Sequence, residues 1–171
     1  ANVVLGHPIC GSEQSGVAAA KADLYQGQKV VLINEGLSAA ENLHKIQHLW
    51  QVLGADVRQM TLVQHDTVLA LTSHLPHMLA YALMNQLGSA AADDDIFHWS
   101  GGGFRDFTRI AGSDPTMWRE ISLANSSCLI DAIEEFGREL EGLKKVIESG
   151  DGEELEKRFA YAQALRQTKI H

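Results

Sequence analysis

Residues 29–62, KVVLINEGLSAAENLHKIQHLWQVLGADVRQMTL, decide how this chain divides. Lys29-Val30-Val31-Leu32-Ile33-Asn34 is mostly apolar and bounded by Gly27 and Gly36, the signature of a strand. Ser38 with Glu41 has the S-x-x-E spacing of a capping box and predicts a helix start. Leu43, Ile46, Leu49, Trp50 and Leu53 follow at helical spacing, with Gly54 as the stop. Asp56 to Leu62 reads as another short strand. Strand–helix–strand is α/β material. Upstream, Asn2-Val3-Val4-Leu5 reads as a strand running into a loop that begins Gly6-His7-Pro8.

After Leu62 the character changes. Val63 to Leu87 has helical periodicity, with Val68, Leu71, Leu75, Leu79 and Leu83 on one face and Pro76 expected to kink it or leave backbone groups unpaired. A Gly101-Gly102-Gly103 turn and a short segment from Phe104 to Ala111 come next. Asp114-Pro115 then supplies an N-cap and a first-turn proline for a further helix. Leu129, Ile133, Phe136, Leu140, Leu143 and Ile147 alternate four and three apart, the stripe of a long helix seeking a partner. Gly150 ends it, and Asp151 with Glu154 caps a last helix carrying Leu155, Phe159, Ala162 and Leu165. A boundary near residue 61 is expected, with α/β structure over 1–61 and an all-helical domain over 62–171.

Composition excludes several function classes. Against 14 Lys and Arg stand 22 Asp and Glu, a formal charge of −8, which repels nucleic-acid phosphates and anionic lipid. No apolar stretch approaches the ~18–20 residues that cross a bilayer. No charged-then-apolar signal segment opens the sequence, so a cytoplasmic protein is expected. Cys10 and Cys128 form no CxxC pair, and reduced thiols are expected.

Three clusters carry chemistry. His7 sits between Gly6 and Gly11, beside Cys10, Ser12 and Glu13, where α/β folds place active sites. The bland alternative is a loop histidine bonded to backbone. His74 and His77 are three apart on a helix and share a face. They could line a cleft, hold a metal with Glu13 or Asp66, or be one core and one surface histidine. The third stretch, Gly101-Gly102-Gly103-Phe104-Arg105-Asp106-Phe107-Thr108-Arg109, puts two arginines in an acidic chain. Such arginines suit a carboxylate or phosphate, or else weak surface ion pairs. No G-x-G-x-x-G turn and no P-loop motif occurs in the sequence.

In order and spacing, the blocks 6–16, 72–81 and 101–118 resemble the prephenate/arogenate dehydrogenase family, and together they span most of the chain. The resemblance implies the fold: mainly α, an all-helical dimerisation domain preceded by the last strands and helix of a truncated Rossmann-type α/β domain. The glycine fingerprint of the family's dinucleotide domain then belongs upstream of Ala1, together with the main contacts to NAD or NADP. Cys10 is a minor departure from the family pattern.

The resemblance also implies a reaction, oxidative decarboxylation of prephenate (or arogenate), with prephenate giving 4-hydroxyphenylpyruvate. It makes His7 the catalytic residue and Arg109 the carboxylate clamp. His74, His77, Gly102 and Trp118 are implied substrate-binding residues, and Ser12, Glu13 and Asp106 orient or gate. Expected partners are the small-molecule substrate and a second copy through the helical domain, with no nucleic acid, membrane or metal. The chain by itself is expected to be inactive. The competing expectation is a non-catalytic helical dimerisation module.

Overall fold

The computed structural model describes residues 2–11, 16–17, 20–33, 35–90 and 95–170. The element order is β1 (Leu5–Ile9), β2 (Lys29–Ile33), α1 (Ala40–Val52), β3 (Asp56–Met60), α2 (Leu62–Leu69), a π-helical segment (Ala70–His74) and α3 (Leu75–Ala90). There follow α4 (Asp95–His98), α5 (Gly102–Thr108), a 3-10 turn (Arg109–Gly112), α6 (Pro115–Ala124), α7 (Ser126–Ser149) and α8 (Gly152–Lys169). Two compact units emerge, Ala1–Leu129 and Ile130–His171.

In the first unit the sheet runs β1-β2-β3. Its centre is β2, whose Val30, Val31, Leu32 and Ile33 are all buried, as expected of a near-continuous apolar strand covered on both faces. The pair β2 and β3 is parallel, joined through α1, whereas β1 pairs antiparallel to β2 with Gly6 opposite Leu32 and His7 opposite Val31. Side chains alternate along a strand, so the sheet sorts its residues by face. On one face Val30, Leu32 and Ala55 pack with Tyr25, Leu43, Ile46 and Trp50. Gly6 allows β1 to lie close here, since a Cβ on it would meet Leu32 Cδ2 at 3.1 Å. His7, one residue on, faces the other way, toward the side where α2 meets β2.

Three local expectations change. The first strand is Leu5–Ile9, so His7 lies within it and not on a loop beyond it. Proline lacks an N–H, yet it is tolerated on the outer strand of this sheet. Ser38 and Glu41 do not form the predicted capping box: the N-cap of α1 is Ala39, with no side-chain cap. The capping box forms instead at α2, where Thr61 Oγ1 accepts from Gln64 N–H and Gln64 Oε1 accepts from Thr61 N–H.

Pro76 is the second residue of α3, directly after the π-helical segment. A proline there removes one donor and crowds the carbonyl of Thr72. The chain answers with the π-helical turns of Ala70–His74, and Leu75 N–H closes onto Ala70 O. Finally, Gly101 is the N-cap of α5, and Gly102 and Gly103 form its first turn in place of a free glycine loop. α3 packs against α5 and the 3-10 turn.

The second unit continues α7 through the left-handed Gly150 (φ +69°) into α8. As the sequence predicted, Asp151 caps α8, its carboxylate accepting from Glu154 N–H at 3.0 Å.

Candidate active site

The first unit gathers four imidazoles, each held by a traceable local cause. His7 projects from β1, and its Nδ1 lies 2.8 Å from His65 Nε2. His65 sits on α2, and its Nδ1 lies 2.8 Å from Asp66 Oδ1. α2 is fixed over the sheet by its capping box and by Glu35, whose carboxylate accepts from Leu62 N–H at 2.8 Å.

His74 closes the π segment and is buried. Asn125, at the end of α6, donates through Nδ2 to the backbone carbonyl of Asp66 at 2.8 Å and lies 3.2 Å from His74 Nδ1. The carbonyl can only accept, so it fixes which end of the amide faces inward. Both contacts therefore use the NH₂ group, and His74 Nδ1 must be an acceptor. Neutral His74 thus carries its proton on Nε2.

On the next turn His77 donates from Nδ1 to the Ser73 carbonyl at 2.8 Å, which leaves its Nε2 as an acceptor. Its ring stacks on Trp118 with centroids 3.6 Å apart and planes 21° apart. Trp118 also meets His74 edge-on at 6.1 Å. Trp118 is placed by α6, which starts as predicted: Asp114 accepts from Thr116 N–H at 2.7 Å and Met117 N–H at 3.3 Å, with Pro115 in the first turn. Tyr81 ties α3 to that start by donating to the Ser113 carbonyl at 2.9 Å. Trp118 is buried, and its indole Nε1 has no acceptor among the described residues.

The electrostatics tie these groups together. Burial, then the neighbouring His65, holds His7 below the ordinary imidazole pKa. Burial lowers His74 as well, followed by His65, His7 and His77, with Asp66 opposing. For His77 burial is again the largest cause, offset by the Ser73 hydrogen bond and reinforced by the Arg109 guanidinium. All three imidazoles therefore favour the neutral form. Arg109 opens the 3-10 turn beside α3, close enough for its charge to be felt at His77.

Of the residues expected from sequence, His7, His74, His77, Trp118 and Arg109 thus fall in one electrostatic neighbourhood. Gly102 and Asp106 lie exposed on α5. Ser12 and Glu13 lie outside the described residues. Among the described residues no group of three or more His, Cys, Asp or Glu side chains is arranged to hold a metal ion.

The sequence reading missed His65 and Asn125, and weighed Asp66 only as a metal ligand. At roughly 3.6 residues per turn, the nine residues from 65 to 74 put these two histidines on opposite faces of a regular helix. The wider π turns between them remove that expectation. Asn125 gave no signal beyond that of an ordinary helix stop.

Known proteins resemble this chain along most of its length. Residues 1–59 match the family model described as prephenate dehydrogenase, nucleotide-binding domain, and residues 62–161 match that described as prephenate dehydrogenase, dimerization domain. The cyclohexadienyl dehydrogenase of Zymomonas mobilis is 36% identical over 166 residues, which is 96% of this chain and 57% of that protein. The prephenate dehydrogenase of Bacillus subtilis is 35% identical over 94% of this chain and 44% of its own length. The crystal structure of prephenate dehydrogenase from Aquifex aeolicus in complex with hydroxyphenyl propionate and NAD+ superposes with a TM-score of 0.90 at 39% identity. That match covers 96% of this chain and 58% of that one. The chain therefore spans about half the length of the relatives it matches. With the dimerization-domain model alone matched across residues 62–161 of 171, the chain belongs to the prephenate dehydrogenase family.

Proposed function

We propose that, within a full-length protein, this chain supplies the substrate-binding half of an NAD(P)-dependent prephenate (or arogenate) dehydrogenase. The observation that carries this reading is the gathering of neutral-favouring His7, His74 and His77 with the charge of Arg109. The substrate is a small ring acid. Its ring hydroxyl must lose a proton while hydride leaves the same carbon and the ring carboxylate departs as CO2, which restores an aromatic ring.

No G-x-G-x-x-G turn, the usual cradle for dinucleotide phosphates, occurs in these 171 residues. The cofactor's main contacts are assigned to the rest of the longer protein. When bound there, its nicotinamide would accept the hydride. The roles of this chain's own residues follow from their chemistry. His7 takes the hydroxyl proton, assistance that is typically worth ~10²–10⁴ in rate. Arg109 clamps a substrate carboxylate. The Nε2–H of His74 donates and the Nε2 of His77 accepts, while the Trp118 indole N–H offers one more donor to a bound acid. Gly102 and Asp106 border the Arg109 segment, with Asp106 an organiser of Arg109 and Ser12 and Glu13 orienting or gating His7.

A second copy of the chain is the proposed partner of the helical domain, spanning 62–171 beyond an α/β remnant at 1–61. No helix of the described residues is long and apolar enough to cross a membrane.

The test is NADH or NADPH formation by the full-length protein given prephenate or arogenate. His7→Asn should lower kcat by about 10²–10⁴ with KM little changed. Arg109→Ala should chiefly raise KM, with a loss of about 2–5 kcal/mol in kcat/KM. An unchanged kcat in the first variant removes the catalytic role. A KM within about twofold in the second, well under 1 kcal/mol, removes the clamp. For the 171-residue chain alone the proposed reading is a non-catalytic dimerisation module, and no turnover is expected.

A further inference from the structure

The proposed base is not an isolated imidazole. His7 Nδ1 lies 2.8 Å from His65 Nε2, and His65 Nδ1 lies 2.8 Å from Asp66 Oδ1. A hydrogen bond between two ring nitrogens needs one protonated and one bare nitrogen, so the order of protons along this chain is determined from its far end. Asp66 as a carboxylate only accepts, and His65 Nδ1 must therefore carry the proton that faces it. Neutral His65 then has a bare Nε2, which can only accept from His7. His7 must in turn hold its proton on Nδ1. The nitrogen left with a free lone pair is His7 Nε2.

We propose that Asp66 and His65 act as positioning residues that set the tautomer of His7, making its Nε2 the atom that takes the substrate's hydroxyl proton. This deepens the dehydrogenase reading and rests on it for the role of His7. The proton balance is simple. The substrate O–H bond breaks, an Nε2–H bond forms on His7, and the imidazolium that results donates from Nδ1 toward His65, whose own N–H points to the Asp66 carboxylate. No oxidant is involved in this transfer.

Geometry supports a positioning role over incidental contact. The His65 side chain is only 16% exposed and the Asp66 side chain 34%. The backbone carbonyl of Asp66 is also held by Asn125, which touches His74 in turn. One helix turn thus sets both histidines with opposite outcomes. His7 is left with a bare Nε2, and His74 with a protonated one. The arrangement offers an acceptor and a donor at the same site.

The test reads ring nitrogens directly. ¹⁵N NMR of the full-length protein, without substrate and at about pH 8 where imidazoles are neutral, should show His7 with a protonated Nδ1 and an unprotonated Nε2. In His65→Phe the His7 signals should shift to a mixture of tautomers. Asp66→Asn should move them toward a protonated Nε2, because an amide can donate to His65 Nδ1 and reverse the order. Both variants should lower kcat roughly 10-fold or more while KM stays within about twofold.

A protonated Nε2 on His7 in the unaltered protein overturns the proposal, and that result needs no variant to fold. So does a His7 tautomer unchanged by both substitutions. The spectra involve no turnover, so failure of the hydrogen-bond order is distinguishable from failure of the assigned reaction. The latter appears as full activity in His7→Asn.

Discussion

The two compact units of this chain differ in how much buried apolar core they build. In Ala1–Leu129, Val30 and Leu32 are fully buried, and Ala70, Leu75, Ala80 and Trp118 are buried as well. In Ile130–His171 the one buried hydrophobic among the described residues is Ala132. Ile133, Leu140, Ile147, Phe159 and Leu165 are all exposed, Ile147 at 64%. That second unit is instead covered with ion pairs, Arg138 with Glu134 and Glu135, and Lys144 with Glu141 and Glu148. Surface pairs of this kind contribute about 0–1 kcal/mol each. The first unit is stabilised within the chain. The second carries a helical stripe whose burial requires something more, which is what pairing with a second copy would provide.

The largest expected effect tests this contrast directly. Leu32→Ala removes a fully buried side chain beneath Gly6 and should cost about 2–5 kcal/mol. Ile147→Ala should cost under about 0.5 kcal/mol while the chain is monomeric, because little area leaves water there. Urea denaturation at low and high protein concentration measures both. If Ile147→Ala costs little when dilute and more when concentrated, the stripe is an interface. If it costs as much as Leu32→Ala at every concentration, the two units do not differ as described.

A pH series gives a smaller effect confined to the first unit. Residues 130–170 contain no histidine, whereas His7, His74 and His77 all lie in the first unit with lowered pKa values. The unfolded chain then binds protons more readily than the folded one as pH falls through about 6.5. Stability from these groups is therefore complete above about pH 6.5 and is lost as pH drops toward the depressed folded values. Denaturation midpoints at about pH 7.5 and about pH 5.5 should show the loss, and His74→Gln should reduce it. A midpoint that rises on acidification contradicts the sign.

How far the sequence alone revealed this molecule depended on how local each cause was. The buried strand Lys29–Ile33, the left-handed glycines Gly54 and Gly150, and the caps at Asp114 and Asp151 are decided by a few adjacent residues, and all were legible. The extension of β1 through Pro8 was not, because an antiparallel partner 20 to 28 residues away makes that strand. Nor was the π segment, which answers a proline by changing the helical period itself. The site followed the same rule. His74, His77 and Trp118 were visible as a spacing and a family pattern. His65 reaches His7 across 58 residues and Asn125 reaches Asp66 and His74 across 59 and 51, and no local pattern marks them.

The smallest expected effect is also the one in which the two units should agree on stability and differ on function. Asp114→Ala removes the acceptor for Thr116 and Met117 N–H, and Asp151→Ala removes the acceptor for Glu154 N–H. A lost carboxylate cap costs about 1 kcal/mol wherever it sits, since its energy is local to one helical turn. Thermal denaturation should therefore show similar small losses for both. The site should not treat them alike. Asp114 starts the helix that stacks Trp118 on His77, so loosening that turn should raise the KM of the full-length protein. Asp151 caps α8, a helix that contains no histidine, and its loss should leave KM unchanged at low occupancy of any paired state. Equal KM values in the two variants would mean that α6 is held by Tyr81 and Asn125 alone, and that its cap does not position the indole.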